Sequence, residues 1–284
     1  IASEENLFFQ NSAQGDRENN GGGLVVYKSR DFTSLRDRFI GNSADNGGGL
    51  LIAKTTGVRV SEAVVSENSA LGSEASAGGG LYASDAYEAL VENSRFENNM
   101  AVLGGGASVF SCPKVKVVNN AFTGNTARGA GGGFSLHQSN NALVEGNTFT
   151  SNVSVKGGGM LLEGGRRVQV RRNTFNSNQA AGGSDSGGGA LIVLESKQSQ
   201  VSENTFKDNV SVVGSAIALM DAKGVVIKKN RFKGNSAIVG TVAFFSSSDC
   251  KLDGNAFEDN EYKGEREVIV SEDSEVSQLN NEFS

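Results

Sequence analysis

The chain has 284 residues and a net charge of −6, with 38 glycines, a single proline (Pro113) and no tryptophan. Apolar residues make up 37% of it and recur regularly, which excludes a disordered linker. No apolar run approaches the roughly 18 residues of a membrane-spanning helix, and the acidic, interspersed charge argues against nucleic acid as a partner.

Along the chain the strongest signal is an internal repeat. One column reads Phe8, Phe39, Val65, Phe96, Phe122, Phe149, Phe175, Phe206, Phe232, Phe257 and Phe283, at spacings of 25 to 31 residues. Three residues after ten of these stands an asparagine: Asn11, Asn42, Asn68, Asn99, Asn125, Asn152, Asn178, Asn209, Asn235 and Asn260. A further Asn precedes most column residues by two positions, as in Asn120, Asn147, Asn173 and Asn204. The segment Glu5–Gln10, which resembles a protease-tag scar, keeps this register and belongs to the repeat. A second landmark, Gly-Gly-Gly followed by apolar residues, starts at Gly21, Gly47, Gly78, Gly104, Gly131, Gly157 and Gly187, then decays to Gly214-Ser215-Ala216 and Gly240-Thr241-Val242. From the first glycine to the next column residue is 18 positions in six units and 19 in the seventh.

Units of about 26 residues are too short for a strand–helix–strand crossover. Their alternating runs, such as Val115-x-Val117, read instead as short strands bounded by Gly, Asn and Ser. Three strands and three turns per unit predict one coil of a right-handed parallel β-helix, an all-β solenoid of about ten coils forming one continuous domain over 1–284. At ~4.8 Å per coil the rod is roughly 50 Å long. Stacked Phe rings are expected to fill the core, and stacked Asn amides to hydrogen-bond from coil to coil. The chain begins at Ile1 and stops inside a repeat with no capping unit, so it is expected to continue at both ends.

Chemistry-bearing residues are sparse. The position seven residues after each first glycine carries Lys28, Lys54, Asp85, Ser111, Gln138 and Gly164, which is no cluster. Charges ahead of the Phe column alternate between neighbouring coils, Glu145 beside Arg171, Arg172 beside Glu203 and Lys228 beside Asp253, and read as exposed ion pairs. His137, the lone histidine, cannot anchor a multi-histidine metal site and by strand parity should point outward. Cys112 and Cys250 fall five coils apart, too far for a disulfide. Asn152 and Asn209 match the glycosylation pattern but belong to the turn column. No cofactor or metal is expected, and the chain reads as no enzyme.

Binding has two candidate locations. Three units carry extra residues between the Asn column and the glycines, within 14–20, 71–77 and 180–186. Insertions at one point of a repeat map to one face. The candidate contact residues there are Gln14, Asp16, Arg17, Glu18, Ser73, Glu74, Ser184 and Asp185. The second candidate is an apolar strip on the strand after the glycines. If Leu24, Leu50, Leu81, Ile52 and Ile192 face inward, then Val25, Leu51, Tyr82, Leu161, Leu191 and Ile217 face outward, and another domain, a flanking loop or a partner packs there; the inverted register makes this column core instead.

Phe39-Ile40-Gly41-Asn42 with Gly47-Gly48-Gly49-Leu50, and Phe175-Asn176-Ser177-Asn178 with Gly188-Gly189-Ala190-Leu191, pair two tetrapeptides. This pairing resembles the repeat signature of the polymorphic membrane proteins of chlamydiae across nearly the whole chain. Most units depart from it in having Gly-Gly-Gly for Gly-Gly-Ala. The resemblance implies the passenger of an autotransporter, displayed at the cell surface or secreted, held to the outer membrane by a C-terminal barrel outside this sequence, and adhering to a host cell-surface receptor. Self-association through the rod is a further expected contact. The rival readings are a carbohydrate-active β-helix and a structural spacer.

Overall fold

The computed structural model describes residues 1–13, 20–264 and 266–284, and for Asp185 the backbone alone. Coils away from the two ends run through four short parallel strands, not three. In the coil around Phe122 these are Lys116–Val118, Ala121–Thr123, Thr126–Ala130 and Phe134–His137. Stacked coil on coil they form four sheets, here called A to D in that order, of 11, 11, 9 and 10 strands. The fourth strand was hidden in the sequence because sheet C is built from segments as short as Ser43–Ala44 and Ser69–Ala70, too brief to show a period of two.

The corners explain the composition. In that coil, backbone with positive φ occurs at Asn119 before sheet B, Gly124 before sheet C, Gly131 before sheet D, Gln138 after it and Asn141 before sheet A. One left-handed residue at each bend turns the chain while its neighbours keep their ladder hydrogen bonds. Asn and Gly carry many of these bends because they adopt that conformation at low steric cost.

Away from its two ends the Phe column is fully interior: Phe39, Phe96, Phe122, Phe149, Phe175, Phe206 and Phe232 are 0% exposed, and so is Val65, whereas the terminal Phe283 is 55% exposed. The rings stack nearly parallel with centroids 4.6 to 5.0 Å apart from Phe96 to Phe283. The Asn column is a continuous amide ladder beside it. Asn125 Nδ2 donates to Asn152 Oδ1 at 3.0 Å and to the Phe96 carbonyl at 2.8 Å, while Asn152 Oδ1 also accepts the Asn125 backbone N–H at 3.0 Å. The same pattern links Asn42, Asn68, Asn99, Asn178, Asn209 and Asn235. A second ladder runs Asn120–Asn147–Asn173–Asn204–Asn230–Asn255. Asn152 and Asn209 are thus buried ladder members, as the turn column required.

Cys112 and Cys250 are both free and buried. The Cys112 thiol is pushed up to about 11 by burial, although it accepts the Ala86 N–H at 3.2 Å. Burial also raises Cys250. Both cysteines act as small apolar core residues, Cys112 at a corner and Cys250 at the start of a sheet A strand.

Candidate functional site

Sheet D decides the fate of the proposed apolar strip. Its inward column reads Leu50, Leu81, Ala107, Phe134, Met160, Leu191, Ile217 and Val242, all joined by direct strand pairing. Leu191 and Ile217 therefore belong to the core, and Ile192, expected inside, takes the outward place. The reason is the seventh unit. Gly188, with φ of +64, is the equivalent of Gly157, and Gly187 stands at the position of Lys156, so the glycine run begins one residue early and misplaces Leu191 and Ile192, whereas Ile217 is inward by the ordinary count of three residues from Gly214. The spacing of 19 instead of 18 carried that information.

Most of the true outward column, Val25, Leu51, Tyr82, Ser108, Ser135, Leu161, Ile192 and Ala218, is not exposed either. Leu161 is 1% exposed and Ile192 0%, whereas Val25 near one end is 46% exposed. The cover is the chain itself. At the corner from sheet C into sheet D the glycine turn folds back over this column, so that a Cβ on Gly157 would stand 2.7 Å from Ile192 Cγ2. Leu161, Ile192, Ala130 and Ala218 form a small second core there, with Leu103 and Leu194 against it. Burying a side chain such as Ile192 stabilises by about 1.5–3 kcal/mol, which rationalises an apolar column outside the main core. Of the three occupants expected for this strip, the flanking segment is the one seen.

The two described insertions lie at the same corner, in different coils. Gln14, Asp16, Arg17 and Glu18 lie outside the described residues. In the other two insertions Ser73, Glu74 and Ser184 are exposed, and each insertion closes on a buried serine. Ser76 Oγ accepts the Ser73 N–H at 2.8 Å, and the Ser76 carbonyl accepts the N–H groups of Val102 and Leu103. Ser186 Oγ donates to the Gly183 carbonyl at 2.7 Å and accepts the Val212 N–H at 3.2 Å. Of Asp185 only the backbone is placed, in a short 3-10 turn over Gly183–Asp185. A groove lies on each side of this loop. One, of about 280 Å³ on sheet D, is lined by Lys156, Ser184, Ile192, Ala218, Met220 and Phe245. The other, of about 350 Å³ on sheet C, includes Gln179, Val210, Val212 and Ile238, of which Val210 and Ile238 are 43% and 47% exposed.

His137 points outward but is 6% exposed, not a plain surface residue. Its Nδ1 lies 2.8 Å from Glu163 Oε2 and its ring centroid 6.1 Å from that of Phe110, while Nε2 is buried with no partner among the described residues. The hydrogen bond from His137 holds the Glu163 carboxyl below the usual carboxylate range, against the opposing effect of burial. A depressed carboxylate stabilises the fold above its unfolded pKa, and that stabilisation is lost as pH falls through the folded value. His137→Phe should therefore move the Glu163 titration midpoint upward. Carboxyl carbon NMR shifts against pH would show it, and an unchanged midpoint would mean the histidine does not set it.

Charged residues concentrate at the corner between sheets A and B. Arg171 and Arg172 both reach Glu145, at 3.0 and 3.1 Å, and Arg172 also reaches Glu203 at 3.0 Å, so the paired charges expected there are present. Asp253 pairs with Lys251 at 2.8 Å and not with its stacked neighbour Lys228. An open groove of about 440 Å³ lies alongside, between Glu203, Lys229, Arg231 and Glu258. Glu203 is held below the usual carboxylate range by Arg172, and Glu258 by Arg231. Among the described residues no group of three His, Cys, Asp or Glu side chains is placed to hold a metal.

Four parallel sheets wound in one hand with a stacked interior define a right-handed β-solenoid. The chain belongs to the right handed beta helix family, whose model matches residues 46–193 and 183–284. No curated protein matches it significantly in sequence. Among solved structures it is similar to PfbA, a surface adhesin of Streptococcus pneumoniae (TM-score 0.63, 11% identity, 98% of this chain and 75% of that one). It is also similar to DFA-IIIase from Arthrobacter chlorophenolicus A6 (0.56, 12%, 95% and 69%). A third is the endo-xylogalacturonan hydrolase of Aspergillus tubingensis (0.51, 9%, 98% and 82%). At these identities the likeness is one of fold. It corrects the expectation that the chain is no enzyme: carbohydrate-active proteins are prominent among its structural neighbours, so a thin scatter of carboxylates is no ground for setting catalysis aside.

Proposed function

We propose that the chain is a surface-exposed β-helical adhesin, similar to the passenger segment of a chlamydial polymorphic membrane protein, that contacts a host receptor at the corner between sheets C and D. The observation that carries this reading is the clustering there of the ordered insertion 180–186 with a groove on either side of it. Exposed apolar side chains beside an irregular loop on a rigid scaffold are a common way to build a contact surface. The paired Phe-x-x-Asn and Gly-Gly-Ala tetrapeptides and the fold shared with a surface adhesin are consistent with it. Membrane attachment through a barrel and self-association through the rod belong to the same proposal. Beads coated with the protein should attach saturably to cultured epithelial cells. Replacing Ala181–Asp185 with the direct connection found in the coil of Val153–Ser154 should reduce attachment at least severalfold while leaving the unfolding midpoint nearly unchanged. Attachment equal to that of an unrelated β-helix of similar charge would overturn the reading.

A second reading, a carbohydrate-active β-helix, is favoured by one observation. Glu203 and Glu258 flank the groove between sheets A and B, two coils apart, roughly 10 Å along the rod. Both carboxyls are held below the usual carboxylate range by arginines, which suits a base. Depolymerisation of a polysaccharide by the pure protein, abolished by Glu203→Gln or Glu258→Gln, would establish this reading over the first.

A further inference from the structure

Sheet C differs from the other three on its outer side. In the coil of Phe206, sheet A turns Gln200 outward and sheet B turns out Thr205 and Lys207, whereas sheet C turns out Val210 and Val212. Nearby coils of sheet C add Val153, Val155 and Ile238. Sheet D also turns apolar side chains outward, but the glycine corner covers most of them. Among the described residues, the large apolar side chains exposed away from the two ends of the rod are Tyr87, Met100, Phe110, Val210 and Ile238, so three of the five lie on sheet C. A contiguous exposed apolar face marks a contact surface.

Two observations say what fits this face. The first is spacing. The face carries two rows of side chains, one through Val153 and Val210 and the other through Val155 and Val212, repeating every ~4.8 Å along the rod. A second solenoid of the same coil height meets those rows in step, and a copy of this chain has that height. The second observation is charge. The strand Glu261–Tyr262 puts an acid in the first row, and Lys263 follows in the second row, lining the same groove as Val210 and Ile238. Both are exposed, and neither forms an ion pair with a described residue. The face therefore carries an acid and a base side by side, both free to pair with an equal face.

We infer that sheet C is the interface of a homodimer whose two rods lie side by side and point the same way, related by a two-fold axis parallel to the rod. This operation keeps each coil level with its equivalent and exchanges the two rows. Val153 of one copy then faces Val155 of the other, Val210 faces Val212, and Ile238 faces Ser236. Glu261 of each copy faces Lys263 of the other, which gives two reciprocal ion pairs. Arg128, a charge within the face, stands opposite Thr126. Packing the rods head to tail about the coils of Gln179 and Val210 would instead set Arg128 against Lys263, two charges of one sign. Eight coils of ~4.8 Å by four residues of ~3.3 Å make a face of roughly 500 Å², so the pair buries roughly 1,000 Å² in all, at the lower end for a specific interface. Self-association is part of the function proposed above, and this interface rests on that part alone. Pairing closes the groove on sheet C and leaves the one on sheet D to the receptor.

Sedimentation equilibrium of the full chain across the micromolar range is the test. The native chain should behave as a mixture of monomer and dimer. Val210→Ser combined with Ile238→Ser changes two exposed side chains, should leave the unfolding midpoint nearly unchanged, and should weaken the dimer about tenfold or more. Glu261→Lys and Lys263→Glu should each be monomeric alone, because each change turns both ion pairs into pairs of like charge. An equimolar mixture of these two variants should dimerise again, since every charged contact across the mixed pair then joins opposite signs. A native chain that stays monomeric would leave the face to some other partner and overturn the inference. A dimer untouched by the serine changes, or charge variants that stay monomeric when mixed, would overturn it as well. Cell attachment keeps the two surfaces apart. A monomeric serine variant that still attaches would leave the receptor contact standing without the dimer, and a loop deletion that still dimerises but no longer attaches would do the reverse.

Discussion

Asn152→Asp should destabilise the protein by about 3–5 kcal/mol at neutral pH, although it changes one atom type and no volume. Asn152 is 0% exposed and works in both directions. Its Oδ1 accepts from the coil before, while its Nδ2 donates to the Phe122 carbonyl and to Asn178 Oδ1, each at 2.9 Å. A carboxylate satisfies the first half and sets a negative oxygen against two acceptors in the second. The sign of its pH dependence follows. The folded-state pKa of the introduced carboxyl would be raised above its unfolded value, so the penalty is full above the folded pKa and shrinks as pH falls through it, because a protonated carboxyl can donate once. Urea unfolding midpoints at pH 7 and near pH 4, each compared with the native chain, would show this. Asp37 makes the contrast. It is equally buried in the column of the second ladder, beyond Ser94 and Ala63, yet it meets only donors: the Asn6 backbone N–H at 2.8 Å and the Ser34 hydroxyl at 2.6 Å. Equal stability of Asn152→Asp and the native chain at pH 7 would mean that the amide ladder does not hold the coils together.

That contrast shows what could be read from the residues and what could not. The Phe and Asn columns were legible because each position repeats one physical requirement ten times, and repetition removes the ambiguity of a single short strand. Sheet C was not legible, because two-residue strands carry no period. Leu191 was placed on the wrong face because Gly187, which stands at the position of Lys156, was counted as the first glycine of its unit, and a count shifted by one inverts every side chain; Ile217, three residues after Gly214, faces inward by the same count as Leu50 after Gly47. The burial of Leu161 and His137 was hidden for another reason. Strand parity says which way a side chain points, but not whether the same chain folds back over it, as the glycine turn does at Gly157. The insertion corner was located from loop lengths alone, while its grooves needed coordinates.

Phe149→Ala should cost about 3–5 kcal/mol, most of it from the cavity left between coils that cannot close upon it. Phe149 is 0% exposed and stacks on Phe122 at 4.9 Å and on Phe175 at 4.6 Å. The spacing of those neighbours is fixed by four hydrogen-bonded sheets, so the backbone has little freedom to collapse inward. Phe149→Leu retains more of the volume and should lose clearly less, while Phe110→Ala, at a side chain 39% exposed, should lose about 1 kcal/mol or less. Val65 shows that the column accepts an aliphatic residue when its surroundings are built for one, since Gly80 leaves only 2.6 Å between its own would-be Cβ and Val65 Cγ1. Chemical unfolding of the three variants should rank them Phe149→Ala, Phe149→Leu, Phe110→Ala in order of loss. If Phe149→Ala lost no more than Phe110→Ala, the rod would owe its stability to the backbone ladders and the Asn amides, and the Phe stack would serve only to set the register of the coils.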